Sequence, residues 1–433
     1  MFYPFKKLNN GLLASALLLG LLFTGCDILQ VNNPNSLVEE DLANPVAASS
    51  IANGAEATLV EGLGQILAPY STATDELTWI GTRDGWQQLD QGRVSEPVNE
   101  FTDASFLALS EARWTADEAI RRLEEFRSNG TLQDKTSLIR SYFYGAVVYI
   151  TIADSYDNFV FSDREEAAPA KGEENMDQLY DTAVGYLNSG LELTGSNTGN
   201  WEARLLAVRA RAKFSQSLWN KLNPDTDTGN PLVENSEASQ DASAALALLG
   251  QNDWRYQLEV TPETAENDLA YQVNDRLELR IGNAYAVPTE DGTRVDSVSL
   301  RDPIDDIAAP ALVSAVNEFV SANLYANYTL ISERELRLII AEDALAGNDT
   351  NTFEDQINEI RSLDQLSEYT GQIPPVELLE HSRRVNLFLQ GRRLADHYRF
   401  GSDSPEWGAN RDEPGTFFPI TITEIRANPN ISF

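Results

Sequence analysis

The sequence predicts a mainly α fold: a tetratricopeptide-like solenoid of helix pairs carrying irregular, loop-rich insertions and a few short strands. Three observations predict it. Apolar residues recur three and four apart over long stretches. Turns rich in glycine and asparagine cut these stretches into consecutive pairs. Paired helices that follow one another along a chain build a helical solenoid.

The pairs run in order. Glu111 to Arg127 places Ala112, Ala116, Ala119, Ile120 and Leu123 on one helical face. After the Asn129-Gly130 turn, Leu138 to Tyr156 does the same with Ile139, Tyr142, Phe143, Ala146, Val147 and Ile150. Asn175 to Leu193 and Trp201 to Leu222 form a second pair across the polar segment Thr194 to Gly199. Ser332 to Ala346 and Thr352 to Leu363 form a third across Gly347-Asn348-Asp349. Asp355, three residues after Thr352, fits a capped helix start there. Pro375 to Phe400 reads as one long final helix. The pairs do not keep the clean period of about 34 residues of tetratricopeptide repeats. Two irregular regions, residues 71–99 and 223–310, read as insertions on one scaffold. The second holds short strand-like runs such as Arg276 to Ile281.

The N-terminus has a different character. Lys6 and Lys7 precede an uncharged, mostly aliphatic run from Leu12 to Phe23, and Thr24-Gly25 then precede Cys26. That is the order of a secretory signal peptide. The apolar run is too short to span a bilayer, which takes about 20 residues. The expectation is a cleaved signal over residues 1–25 and a single domain over 26–433. Cys26 is the sole cysteine, so no internal disulfide is possible and the body must hold by its core. A hydrophobic content of 42% with seven tryptophans supports such a core and excludes a disordered chain. The net charge of −35 argues against nucleic acid or anionic lipid as partners. Only six of the 32 basic residues are lysine, a balance that suits a saline habitat, where screening weakens self-repulsion.

Catalytic and metal motifs are not found. His381 and His397 are 16 residues apart on one predicted helix, too far to be neighbouring ligands. No G-x-S-x-G elbow, Walker loop or G-x-G-x-x-G occurs, so no cofactor is expected. The stretch Asn223 to Asn230 is acidic, but its glycine falls one place late for an EF-hand, so a polar turn is preferred over calcium.

Four segments carry a resemblance to the SusD/RagB-like nutrient-binding lipoproteins. Leu22-Phe23-Thr24-Gly25-Cys26 resembles a lipobox and leads into Val31-Asn32-Asn33-Pro34-Asn35. Leu138 to Tyr144, followed by Asp154-Ser155-Tyr156-Asp157, looks like that family's helix into a tyrosine-rich corner. Arg334-Glu335-Leu336 through Ala341-Glu342-Asp343-Ala344 to Ile357-Asn358-Glu359-Ile360-Arg361 is the third. Arg383-Arg384-Val385 through Gly391 to Asp396 and on to Arg399-Phe400-Gly401 is the fourth, closed by Phe418-Pro419-Ile420 and Asn428-Pro429. Ser382, Asn386 and Gln390 stand where the family carries glutamates, and His397 where it carries leucine. Arg392 with Asp396, and Asp396 with Arg399, are spaced to pair across one turn, as exposed pairs worth about 0.3–0.5 kcal/mol.

The resemblance implies a non-enzymatic lipoprotein, anchored through Cys26 in the outer membrane and facing outward. It implies a TonB-dependent SusC-like barrel as partner and a glycan, or another nutrient such as a peptide, as ligand. A protein-binding helical adaptor and a surface hydrolase are the alternatives. Sugars offer apolar C–H faces to aromatic planes and polar edges to Asn, Asp, Arg and Gln. The candidate ligand residues are therefore loop aromatics with polar neighbours: Trp79, Arg83 and Trp86 in the glycine-containing loop 79–87, then Trp254 and Tyr256, then Trp407. The alternative for each ring is burial in the core.

Overall fold

The computed structural model describes residues 42–431 except 164–165, 225, 227–228 and 251–252. The signal peptide, Cys26, and residues 225, 227 and 228 of the acidic loop 223–230 lie outside the described residues. Ala48–Phe433 forms one unit. Its backbone is a succession of helices, most of them laid against a near neighbour in the chain. In order these are α1 (Ala48–Thr72), α2 (Asp84–Asp90), α3 (Glu100–Ser128), α4 (Thr136–Ser155), α5 (Gln178–Leu193), α6 (Trp201–Leu222) and α7 (Ser236–Leu249). Then come α8 (Pro310–Ser321), α9 (Glu333–Ala346), α10 (Thr350–Leu363), α11 (Pro375–Asn386), α12 (Arg393–Phe400) and α13 (Ile422–Ala427). Helix α1 packs on α3, α3 on α4, α4 on α5, α5 on α6, α6 on α7, α7 on α9 and α9 on α10. This is the helix-pair arrangement that the apolar periodicity predicts.

Local chemistry sets the helix starts. Asn99 caps α3 by accepting from the N–H of Phe101 at 3.0 Å, and Ser332 caps α9 by accepting from Glu335 at 3.2 Å. The cap of α10 is Asp349, which accepts from Thr352 N–H at 3.1 Å, so that helix begins earlier than the spacing of Thr352 and Asp355 suggests. Helix α1 is not evident from the sequence because it is rich in glycine and alanine. Its contact with α3 explains the composition. A Cβ on Gly62 would stand 3.0 Å from Leu109 Cδ2, so the two helices approach as closely as a glycine allows. The C-terminal core joins Leu338 and Ala341 of α9 to Phe353, Ile357 and Ile360 of α10 and to Leu378 and Leu379 of α11.

Three two-stranded antiparallel sheets decorate this body. Strand β1 (Leu77–Trp79) pairs with β3 (Leu279–Ile281), and β4 (Ala286–Pro288) pairs with β5 (Val295–Val298). Strand β2 (Arg255–Leu258) pairs with β6 (Tyr328–Ser332), with Arg255 opposite Ser332 and a bulge between Tyr256 and Gln257. Region 223–310 therefore contains α7 and strands β2 to β5 as well as loops.

The long final helix read from the sequence is two helices. Residues 387–392 break it, with Leu389 at φ 58° and Gly391 at φ 70°. The cause is a distant residue. The buried Glu76 Oε1 accepts the Leu389 N–H at 2.8 Å, capturing a donor that a continuing helix would use internally. The charges flanking the break are buried rather than exposed. Asp396 receives Arg383 Nε at 2.9 Å and Arg399 Nε at 2.9 Å, and Arg399 also grips Glu342. Asp396, Arg399 and Glu342 are all almost wholly shielded from water. Of the two pairs expected on this helix, Asp396–Arg399 forms. Arg392 turns away and binds Asp154 at 2.6 Å instead.

Candidate functional site

A cleft of about 360 Å³ opens beside the β2–β6 sheet. Three elements build its walls. Arg255 and Gln257 come from β2, facing the cleft on alternate positions of the strand. Helix α8 supplies Ala311, Ser314, Ala315 and Glu318, spaced three and four apart so that one stripe faces in. The 387–392 break supplies Phe388, Leu389 and Gln390, so the capture of Leu389 by Glu76 shapes the cleft.

Arg334 forms the charged part of the lining. Its Nε and Nη2 bind Asp253 at 2.8 and 3.0 Å, and its Nη1 and Nη2 bind Asp364 at 2.7 and 2.8 Å. Asn386 Oδ1 accepts a further bond at 2.8 Å. Every nitrogen of this guanidinium is engaged. Arg255 meets Glu318 across the cleft at 2.9 Å, both side chains being more than two-fifths exposed. Gln390 Oε1 is shielded and has no partner. The walls thus combine apolar surface with fixed amide, hydroxyl and charged groups, and the volume falls in the range of about 300–1,000 Å³ usual for small-molecule pockets.

The candidate aromatics fall in three places, none lining this cleft. Trp86 is 1% exposed and stacks on Phe101 with centroids 3.5 Å apart. Arg83 lies 4.5 Å from the same Phe101 ring and pairs with Glu100 at 2.7 Å, its side chain about a third exposed. Trp79 is half-buried on β1. The segment read as a glycine-containing loop runs from β1 into α2, which holds Gly85 and Trp86, and its glycines are not hinges. A Cβ at Gly81 would collide with Glu278, which accepts from the N–H groups of Thr82 and Arg83, and one at Gly85 would press on Phe101. Trp407 is half-buried and folded back: its Nε1 donates to the Ala73 carbonyl at 2.9 Å and its ring lies against His397.

Trp254 and Tyr256 flank Arg255, and the alternation of β2 turns Tyr256 to the other face. There Tyr256 meets Phe143 edge-on at 5.2 Å and Trp201 at 6.0 Å, and its hydroxyl lies 3.4 Å from that of Tyr144. Arg204 stacks on both Trp201 and Tyr256, at 4.7 and 4.4 Å. The sequence offered a signal for this split, because period-two alternation separates Arg255 from its two neighbours. The α8 stripe had a signal too, in small residues at helical spacing. Arg204 had none.

One cluster imitates a hydrolase. His397 Nδ1 lies 3.1 Å from Ser402 Oγ, and His397 Nε2 lies 3.1 Å from Asp75 Oδ1. It lacks the means of a nucleophilic triad. The Ser402 hydroxyl donates to Glu380 at 3.0 Å, the His397 Nδ1 also meets the Ser402 carbonyl at 3.0 Å, and His397 is 1% exposed. Burial pushes the Asp75 carboxyl up, but the contacts from His397 and Arg393 overcome this and hold it well below the usual carboxylate range. His397 is itself depressed by burial. The cluster ties α12 to the chain after α1 and serves packing.

Neither a protein-family model nor a curated relative matches the sequence. Solved structures do match the fold. A SusD-like carbohydrate-binding protein from Bacteroides vulgatus superposes with a TM-score of 0.60 at 13% identity, covering 90% of this chain and 97% of the other. A SusD superfamily protein from Bacteroides fragilis gives 0.63 at 15% identity, covering 90% and 99%. The chain has the SusD-like fold. A further match, a structure with a xylogluco-oligosaccharide, gives 0.58 at 12% identity and covers 82% of this chain and 83% of the other. The SusD-like fold thus covers nine-tenths of this chain.

Proposed function

We propose that this protein is a surface-exposed, carbohydrate-binding lipoprotein. In this reading it captures an oligosaccharide without chemical change and hands it to a TonB-dependent SusC-like barrel that it caps. The observation that carries the reading is the SusD-like fold over 90% of the chain, shared with a carbohydrate-binding protein. The cleft beside β2 and β6 supports it, because fixed polar groups on apolar walls suit the edges and faces of a neutral sugar. Trp79, Arg83, Trp254 and Trp407, each at least partly exposed, are proposed to add contact surface for longer chains, and Tyr256 to add it on the opposite face of β2. Trp86 contributes by holding Phe101, and through it Arg83, in place.

The lipobox supplies the attachment. Lipid on Cys26 would hold the chain at the outer membrane, and among the described residues no helix is long and apolar enough to cross one. Two experiments test the reading. Solubilised membranes are passed over tagged full-length chain; a large TonB-dependent barrel is expected to co-purify, and a monodisperse monomer would contradict the partnership. Native gels cast with neutral polysaccharides, xyloglucan among them, are expected to retard the protein on at least one, with no reducing ends released.

A further inference from the structure

In a chain with 67 acidic and 32 basic residues, many arginines find a carboxylate. Arg83, Arg255 and Arg301 each do so. Arg204 does not. It stands in the first turn of α6, partly exposed, and forms no ion pair or side-chain hydrogen bond among the described residues. Its guanidinium lies over two rings, 4.7 Å from Trp201 and 4.4 Å from Tyr256, and its Nε is shielded without a partner. Stacking on two rings fixes the plane of the group and removes water from its face. The terminal Nη1 and Nη2 groups are then the donors that a ligand can reach, in a fork matched to a carboxylate.

The surroundings favour an anion of one charge. The neighbouring acid, Glu56, is already held by Arg140 at 2.5 Å, and Arg140 also binds Asn53 at 2.8 Å. Glu56 is thereby engaged, and Glu202, the acid in the first turn of α6, stands two residues from Arg204 without pairing with it. The Tyr256 hydroxyl, 3.4 Å from that of the buried Tyr144, adds a group able to bond a sugar hydroxyl. The Arg204 charge also acts on the Tyr256 phenol, which burial raises and Arg204 and its Tyr144 bond pull back. A net charge of −35 repels a polyanion but leaves a single carboxylate, read at short range, within reach.

We propose that Arg204, stacked on Trp201 and Tyr256, anchors a second carbohydrate site that takes the carboxylate of a sparsely acidic oligosaccharide, one uronate carried among neutral sugars. The proposal rests on the carbohydrate-binding reading above, and it lies on the opposite face of β2 from the cleft. It gives the protein a preference for acidic side groups that the cleft does not supply.

The test is calorimetry on the full chain with three probes: a glucuronate-substituted xylo-oligosaccharide, its methyl ester, and the unsubstituted xylo-oligosaccharide. The free acid is expected to bind at least tenfold more tightly than the other two. Arg204→Gln removes that margin, Arg204→Lys restores part of it, and both variants melt with the wild type. Equal affinity for acid and ester, or an unchanged margin in Arg204→Gln, overturns the site. So does a peptide carboxylate that binds Arg204 more tightly than the uronate. Retention on neutral glycans without an acid margin defeats this proposal alone, while failure to bind any glycan defeats the carbohydrate reading and this site with it.

Discussion

Arg334 and Arg204 both stand beside strand β2, and they are held in opposite ways. Arg334 is saturated: two carboxylates and an amide take all its donors, and its side chain is 11% exposed. Arg204 rests on two aromatic rings and has no acid. The first arginine spends its charge on holding β2, α9, α10 and α11 around the cleft. The second keeps its charge for something outside the molecule. Residue type says nothing about which role applies; the count of satisfied donors does.

Perturbing each place separates framework from contact surface. The largest loss of stability is expected at Trp86. Trp86→Ala removes a ring that is 1% exposed and stacked on Phe101, and it should cost about 3–5 kcal/mol in denaturant unfolding. A loss below about 1 kcal/mol would mean that the ring is not packed as described. Arg334→Ala should cost about 3 kcal/mol, because it strands Asp364 in a largely buried place. Asp253, more exposed, adds little to that loss.

Glu76 supplies a pH-dependent test. Burial raises its carboxyl from 4.5 to about 7, against the Leu389 N–H bond that lowers it. A folded-state value above the unfolded one means that the protonated group favours folding. That contribution is fully present below pH 4.5 and is lost as pH rises through about 7. Glu76→Gln should therefore gain stability relative to the wild type between pH 5 and 8, flattening the profile there. Parallel profiles for the two proteins would remove Glu76 as the titrating group. The smallest change in stability is expected for Arg204→Gln, within about 1 kcal/mol, since only stacking is lost.

Much of the fold is legible in the sequence, for a physical reason. Helix α5 buries one face, so its apolar residues recur three and four apart, as Leu179, Tyr180, Ala183 and Leu187 do, while the central α4 is buried nearly all round and reads as a continuous apolar run. Helix α1 is not legible because Gly62 serves its contact with α3, and a glycine reads locally as a break. The split of the last helix is hidden as well, since Glu76, more than three hundred residues earlier, captures Leu389. The network around Asp396 was visible as a set of charges but not as a buried one, because burial comes from α9.

The site was less legible than the fold. Aromatic residues in loops mark places where rings are needed, but Trp86 and Trp407 show that the need is often internal. The cleft depends on Arg255, Glu318 and Gln390, brought together from three segments by packing alone. Strand alternation put Tyr256 beside Arg204 rather than beside Arg255.

The most direct test of the account is calorimetric titration of neutral oligosaccharides into the full chain and into Ala315→Trp, which fills the cleft from the α8 wall. The wild type is expected to bind at least one neutral oligosaccharide measurably, and the filled variant to lose at least tenfold, with folding unchanged. Equal binding by the two proteins would contradict the cleft as the site of sugar capture.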